Sequence, residues 1–284
     1  MTRFDVALAT CRALPEADAD EAPLLAALAA AGASARSLAW DDPDAPFADA
    51  GVVVLRSTWN YVHHLDAFLA WVDGLGGRAV NPAALVRWNH DKRYLADLAA
   101  RGVPVIPTEY VDRGSGRRVA DVVAARGWAR AVAKPAVSAG SFETRALDAA
   151  VAPADGQWFD AALRARAMMV QPYVRSVESY GERSVVWVDG AVTHAVRKSP
   201  RLAGQDERVS EAVPVADDER ALAFEAVGAA AAVTGAAPLY ARVDVVRDDG
   251  GGLQVMELEL IEPSLFFAQA PAACEVLAAA LARR

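Results

Sequence analysis

A chain of 284 residues, 54% hydrophobic and 23% charged, has enough apolar material for one large domain or two to three small ones, and is not a disordered segment. Its net charge of -8 argues against sequence-independent binding of nucleic acid. The two cysteines, Cys11 and Cys274, stand at opposite ends and give neither a disulfide framework nor a metal knuckle, and no apolar run is long enough to cross a membrane.

In chain order, residues 1–10 have no extended apolar core after a basic start, so no secretion signal is expected and the default setting is reduced and cytoplasmic. Residues 4–10 read as a buried strand. A helix is expected over 20–31, with Leu24, Leu25 and Leu28 as its stripe and Gly32 as its stop. Strands follow at 35–40 and 51–56, then a helical run marked by Leu65, Phe68, Leu69, Trp71, Val72 and Leu75. Strands alternating with helices predict a parallel sheet, and this first unit, residues 1–88, winds down from Asn81-Pro82. A second unit, 89–167, begins with Asn89-His90-Asp91-Lys92 and a helix over 92–100. A strand at 106–111, a helix at 117–126 and a strand at 129–134 lead to a loop over 135–141. A third unit, 168–284, opens with a strand at 168–171. Its first hairpin has arms 184–188 and 191–196 around Asp189-Gly190, a strong turn signal. A helix at 217–234, a second hairpin and a last helix from about 271 complete the chain.

The second hairpin is the most informative segment. Its arms, 240–246 and 253–260, alternate apolar and polar residues as half-buried strands do, and Asp248-Asp249-Gly250-Gly251-Gly252 between them is turn chemistry. Asp244, Glu257 and Glu259 fall on neighbouring strands, the last two on one face. Converging carboxylates repel, and a hard divalent cation relieves the repulsion; Mg2+ usually takes one or two carboxylates and completes its shell with water and phosphate oxygens. A solvated strand face is the alternative. Lys134 ends a strand ahead of Pro-Ala-Val-Ser-Ala-Gly-Ser (135–141), where small residues let a backbone approach phosphates and a lysine supplies a point charge. An ordinary loop is the alternative there, since neither Gly-x-x-x-x-Gly-Lys nor Gly-x-Gly-x-x-Gly occurs.

The order of these parts is specific. Lys92 follows an asparagine at a helix head, and Lys134-Pro135 opens the small-residue loop. Met169-Val170-Gln171-Pro172-Tyr173-Val174 runs into a linker, and Gly181-Glu182-Arg183-Ser184 precedes the first hairpin. Arg242-Val243-Asp244 and Glu257-Leu258-Glu259 come last. Over roughly residues 89–270 this order resembles the ATP-grasp superfamily, in the branch with bacterial glutathione synthetase and ribosomal-protein glutamate ligases. The run from Gly181-Glu182 through His194-Ala195-Val196 and Lys198, with Arg56-Ser57-Thr58-Trp59 and Leu85-Val86-Arg87-Trp88-Asn89 upstream, is similar to the group that includes the cycloserine-forming cyclo-ligase acting on O-ureidoserine.

The resemblance implies α/β and α+β architecture: two α+β lobes gripping ATP behind a Rossmann-like, substrate-side domain. It implies phosphate contacts from Lys92 and Lys134, a covering loop containing Ser138, Gly140 and Ser141, an adenine edge at Gln171, Tyr173 and Val174, and ribose contacts from Glu182. Asp244, Glu257 and Glu259 would hold Mg2+, with Mn2+ an alternative; the family usually has Asn at the last position, so Glu259 adds a negative charge. The loop has one glycine where relatives often have two. Arg242 and Arg208 would clamp the γ-phosphate or acyl-phosphate, with Lys198 beside them; Arg56 and Ser57 would meet the substrate, and the run Glu262-Pro263-Ser264 would approach it, with Ser264 as the contact. The implied chemistry is phosphorylation of a small carboxylate, followed by attack of an amine or an intramolecular nitrogen. Ring closure is one outcome and intermolecular amino-acid or peptide ligation the other. A nucleotide-binding sensor without turnover is a rival reading, opposed by the complete Lys, Lys, Asp, Glu, Glu set. A homodimer is expected by analogy alone; nucleic-acid and membrane partners are not.

Other residues read more plainly. His63 and His64 suit a solvated helix start, and His194 reaches the site only if it faces inward. Lys198, Arg197 and Arg201 form a basic cluster. Cys11 has no base placed to activate it, and Trp40, Trp71 and Trp88 suit a core or an interface.

Overall fold

The computed structural model describes residues 3–140, 142–199 and 208–284, and its strands form three four-stranded sheets. The first sheet contains β1 (Phe4–Thr10), β2 (Ala35–Ala39), β3 (Ala50–Ser57) and β4 (Ala79–Val80), connected through α1 (Glu21–Ala30) and α2 (Leu65–Leu75). Its order is β2-β1-β3-β4 and it is parallel throughout. Val6 and Leu8 share a core with Leu24 and Leu28 of α1, whereas Ala7, Ala9, Val53 and Leu55 share another with Phe68 and Val72 of α2. Packing on both faces explains why these strands are continuous apolar runs without alternation.

Two short helices follow, α3 (Ala83–Asn89), which the sequence reading leaves unassigned, and α4 (Tyr94–Ala100), which starts two residues after Lys92. The central sheet contains β5 (Glu109–Val111), β6 (Arg130–Pro135), β7 (Arg145–Asp148) and β8 (Met168–Pro172), with α5 (Val119–Arg126) and α6 (Pro153–Ala165) packed on it. Its order is β5-β8-β6-β7, all antiparallel. The strand expected at 106–111 begins only at Glu109, because Pro107 has no N–H for a ladder. Residues 104–106 instead run beside Val255: Ile106 N donates to its carbonyl (3.1 Å) and its amide donates to Pro104 O (2.8 Å). The expected boundary at 167/168 also needs correction, since β8 lies between β5 and β6 and belongs with them. The helix α6 carries a legible signal, Phe159, Ala162 and Leu163 on one buried face with Pro153 in its first turn.

The third sheet contains β9 (Glu182–Val188), β10 (Ala191–Lys198), β11 (Tyr240–Arg247) and β12 (Leu253–Glu259) in the antiparallel order β10-β9-β11-β12. At the β9–β10 corner Asp189 and Gly190 have φ of 49° and 87°, the left-handed pair a two-residue hairpin requires. At the β11–β12 turn Asp248 accepts from the amides of Gly250 (2.9 Å) and Gly252 (2.8 Å). The long helix α7 (Asp217–Thr234) covers one face, sharing a core with Val185, Val243 and Val245; α8 (Pro271–Ala282) and α1 cover the other, with Val186, Val188 and Tyr240. β11 is therefore buried from 240 to 246, not half-buried as its alternation suggests. Arg242 and Asp244 are interior groups and need partners. No described helix is long and apolar enough to cross a membrane.

Candidate active site

A cleft of about 590 Å³ opens between the central and third sheets, with the loop after β3 along one side. Strand register builds its acidic floor. Arg242 lies opposite Glu259 and Asp244 opposite Glu257, while Asp244 faces Ser184 across β9. Asp244 accepts from Ser184 Oγ (2.6 Å), Lys198 Nζ (3.0 Å), and Arg242 Nε and Nη2 (2.9 Å each). Arg242 also pairs with Glu259, and Lys198 with Glu182. Burial alone would raise the Asp244 carboxyl, but Arg242 and Lys198 outweigh it and hold it far below the ordinary carboxylate range. Burial lifts Glu182 to about 7 against the pull of Lys198.

The opposite wall supplies two lysines. Lys92 Nζ donates to Ser138 O (2.7 Å) and lies 2.9 Å from Glu257, and Lys134 at the end of β6 lies 3.6 Å from the same carboxylate. Glu257 is raised by burial but pulled down to about 2 by Lys92 and Lys134. Three residues outside the expected set fix the facing side, which carries Glu257 and Glu259. Asn89 donates to Leu258 O and accepts from Leu260 N (2.8 Å each), and Tyr94 Oη accepts from Leu258 N (2.9 Å). Asn81 donates to Tyr240 O and Leu260 O (2.8 Å each). Asn89 and Tyr94 serve the outer edge of β12 as another strand would, and Asn81 ties the segment after β12 to the start of β11; an isolated asparagine gives no such signal in sequence.

Ser138, Gly140, Gln171, Tyr173, Val174, Glu182, Lys198, Arg242, Asp244, Glu257, Glu259 and Ser264 all line this one cleft with Lys92 and Lys134. Gln171 is buried and donates to Thr108 Oγ1 (3.0 Å), and Gly140 has a left-handed φ of 58°. Ser141 lies outside the described residues. Arg208 is exposed and is not among the cleft-lining residues; its carbonyl accepts from Ser199 N (2.9 Å). His63 and His64 are exposed, and His63 also borders the cleft, edge-on to Phe142 at 5.3 Å. His194 is turned to the carbonyl of Leu265 (3.0 Å) and does not line the cleft.

The expected substrate role of Arg56 and Ser57 does not fit the geometry. Both are buried and neither lines the cleft. Ser57 donates to Thr10 Oγ1 (2.9 Å). The Arg56 guanidinium is engaged inside the protein by Asp20, Asp18 and the carbonyl of Pro263. The neighbouring loop does reach the cleft, through Trp59, Tyr61 and His63.

Among the described residues no three His, Cys, Asp or Glu side chains gather as a metal site. Asp244 takes four hydrogen bonds from Ser184, Lys198 and Arg242 on its two oxygens, two on each, where Glu257 has one lysine at each, so Asp244 does not fit as a direct ligand, a correction to the expected set of three. Glu257 and Glu259 do fit a cation that takes two carboxylates and fills its shell with water and phosphate. Both face the cleft, and burial, with repulsion from Glu257 and Asp244, pushes Glu259 up despite Arg242. Taken together, the cleft offers two lysines for an anion, two carboxylates for a cation, and an arginine held rigid by Asp244.

Residues 6–83 match the family described as the N-terminal domain of D-cycloserine synthetase DcsG. The chain is 38% identical over 265 residues to the cycloserine biosynthesis protein DcsG of Streptomyces lavendulae, covering 87% of this chain and 88% of that one. The crystal structure of D-cycloserine synthetase DcsG is similar with a TM-score of 0.89 at 35% identity, covering 98% and 99% of the two chains. The ATP-grasp ligase PsnB, solved with its minimal precursor, Mg and ADP, is similar in fold, with a TM-score of 0.65 at 19% identity over 99% and 98% of the chains.

Proposed function

Because this chain belongs to the DcsG family, within the ATP-grasp ligases that form C–N bonds, we propose that it activates a small amino-acid carboxylate with Mg2+-ATP and that a nitrogen of the same molecule then closes a ring. The observation that carries this is the convergence of Lys92 and Lys134 on Glu257 across the cleft. The two lysines form an anion site, and Glu257 is their common carboxylate partner. A triphosphate arriving there takes over the lysines and leaves Glu257, with Glu259, to hold Mg2+. PsnB, of similar fold, is solved with Mg and ADP, which supports Mg2+ and a nucleotide as what this cleft takes.

In the first step a substrate carboxylate oxygen attacks the γ-phosphorus, and the bond to the bridging oxygen breaks with release of ADP. In the second the nitrogen attacks the carbonyl carbon, phosphate leaves, and the nitrogen's proton passes to solvent. Bound Mg2+ supplies charge neutralisation on the phosphates. Lys92 and Lys134 hold the phosphates in line, and Arg242, oriented by Asp244, stabilises charge on the transferred group. Ser138 and Gly140 belong to the loop that excludes water from the acyl-phosphate. Gln171, Tyr173 and Val174 take the adenine edge, and Glu182 accepts the ribose hydroxyls. Ser264 meets the substrate, with residues 1–88 as the substrate-side unit and β8 assigned to the first ATP-binding lobe. A reduced cytoplasmic setting belongs to this reading, and both cysteines are free.

The test is ADP release with Mg2+-ATP and candidate amino-acid carboxylates, with products weighed by mass spectrometry. Ring closure gives a product lighter than the substrate by one water and containing no second amine. Absence of substrate-dependent ADP release contradicts the proposal.

A further inference from the structure

We infer that Glu262 binds the ammonium group of the amino-acid substrate, an inference that rests on the function proposed above. Glu182, Asp244, Glu257, Glu259 and Glu262 all line the cleft. Glu182 is paired with Lys198, Asp244 with Lys198 and Arg242, Glu257 with Lys92 and Lys134, and Glu259 with Arg242. Glu262 makes no ion pair or hydrogen bond with any described residue. It is half-buried, and a carboxylate in such a wall is costly without a positive partner. Burial and repulsion from Glu259 accordingly lift it to about 8.

Its position suits an α-ammonium. The substrate carboxylate must reach the γ-phosphate beside Glu257 and Glu259, and in an amino acid the ammonium is separated from that carboxylate by a single carbon. Glu262 is three residues beyond Glu259, at most about 10 Å of extended chain. Trp59 and Tyr61 line the same cleft; of the cleft carboxylates, Glu262 acts most strongly on the Tyr61 hydroxyl. The segment is also fixed in place, because Arg56 holds Pro263 O (2.8 Å) and Arg242 holds Ser264 O (3.3 Å). The proposal thus gives the cleft a second polarity, phosphate at the lysines and ammonium at Glu262.

The test compares kcat/KM for the amino-acid substrate and its des-amino analogue, read as ADP release, in the wild type, Glu262→Gln and Glu262→Asp. A charge-assisted hydrogen bond predicts that Glu262→Gln loses about 10–100-fold on the amino substrate, mainly in KM. The des-amino reaction, the ATP KM and the Mg2+ requirement stay unchanged, so discrimination falls towards one, and Glu262→Asp recovers part of it. Unchanged des-amino turnover also reports that the variant is folded. Discrimination retained in Glu262→Gln, or a raised Mg2+ requirement in its place, overturns the inference, as does a wild type that turns over both compounds equally. A wild type that releases no ADP with any amino-acid carboxylate overturns the parent reading instead.

Discussion

Arg56 and Asp20 form an ion pair of 3.1 Å in the protein interior, and Asp20 is at the same time the acceptor for the amides of Leu265 (2.6 Å), Phe266 (3.2 Å) and Phe267 (2.8 Å). Arg56 adds the carbonyl of Pro263. The pair therefore ties the end of β3 to the segment that carries Glu262 and Ser264 into the cleft. Arg242 and His194 hold the carbonyls of Ser264 and Leu265.

Removing one member of such a pair strands the other. Arg56→Ala is expected to cost about 3–5 kcal/mol of stability, seen as a lower Tm. In the folded fraction it should raise the KM for the carboxylate substrate more than that for ATP. Equal changes in both would mean that the pair does not position the acceptor end.

Asp244 is the common counter-ion of Arg242 and Lys198. Asp244→Asn keeps the shape but leaves two buried cations under-compensated, so a loss of about 3 kcal/mol or more is expected, together with loss of ADP release. Normal turnover in this variant would remove the orienting role assigned to the Asp244–Arg242 pair.

Lys134→Ala should raise the ATP KM, because one of two phosphate charges is lost. Glu257→Gln should abolish turnover more than it weakens ATP binding measured by calorimetry, because the metal contact matters most as charge moves onto the leaving oxygen. A Lys134→Ala enzyme with an unchanged ATP KM would place the phosphates elsewhere.

The pH dependence of stability has two opposed parts. Glu257 is held at about 2 by Lys92 and Lys134 despite its burial, so its contribution is complete above the unfolded value near 4.3 and is lost as pH falls towards 2. Glu262 lies at about 8, from burial and from Glu259. The folded state then binds more protons than the unfolded one between about pH 4 and 8, and stability falls as pH rises through that window. In ligand-free protein, Glu262→Gln should flatten the decline in Tm from pH 5 to pH 8. An unchanged slope would show that Glu262 titrates normally.

Much of the site was legible because its determinants are local. Asp189-Gly190 and Asp248-Asp249-Gly250-Gly251-Gly252 fixed both hairpins, and a period of two then set Glu257 and Glu259 on one face. What was misread depends on distant partners. Arg56 at a strand end suggests a ligand contact, but Asp20, 36 residues away in sequence, turns it inward. The alternation of β11 suggests a wet face, but α8 arrives from the far end of the chain and, with α1, packs the sheet's second face, leaving Arg242 and Asp244 to neutralise one another. β8 reads as the start of a new unit because nothing local shows that β5 and β6 flank it.

The most direct measurement follows the fate of the substrate's carboxylate oxygens. With an oxygen-18-labelled carboxylate substrate, the account predicts that the phosphate released with ADP carries one oxygen-18 atom, transferred through the acyl-phosphate. Unlabelled phosphate, or label appearing in AMP, would contradict it.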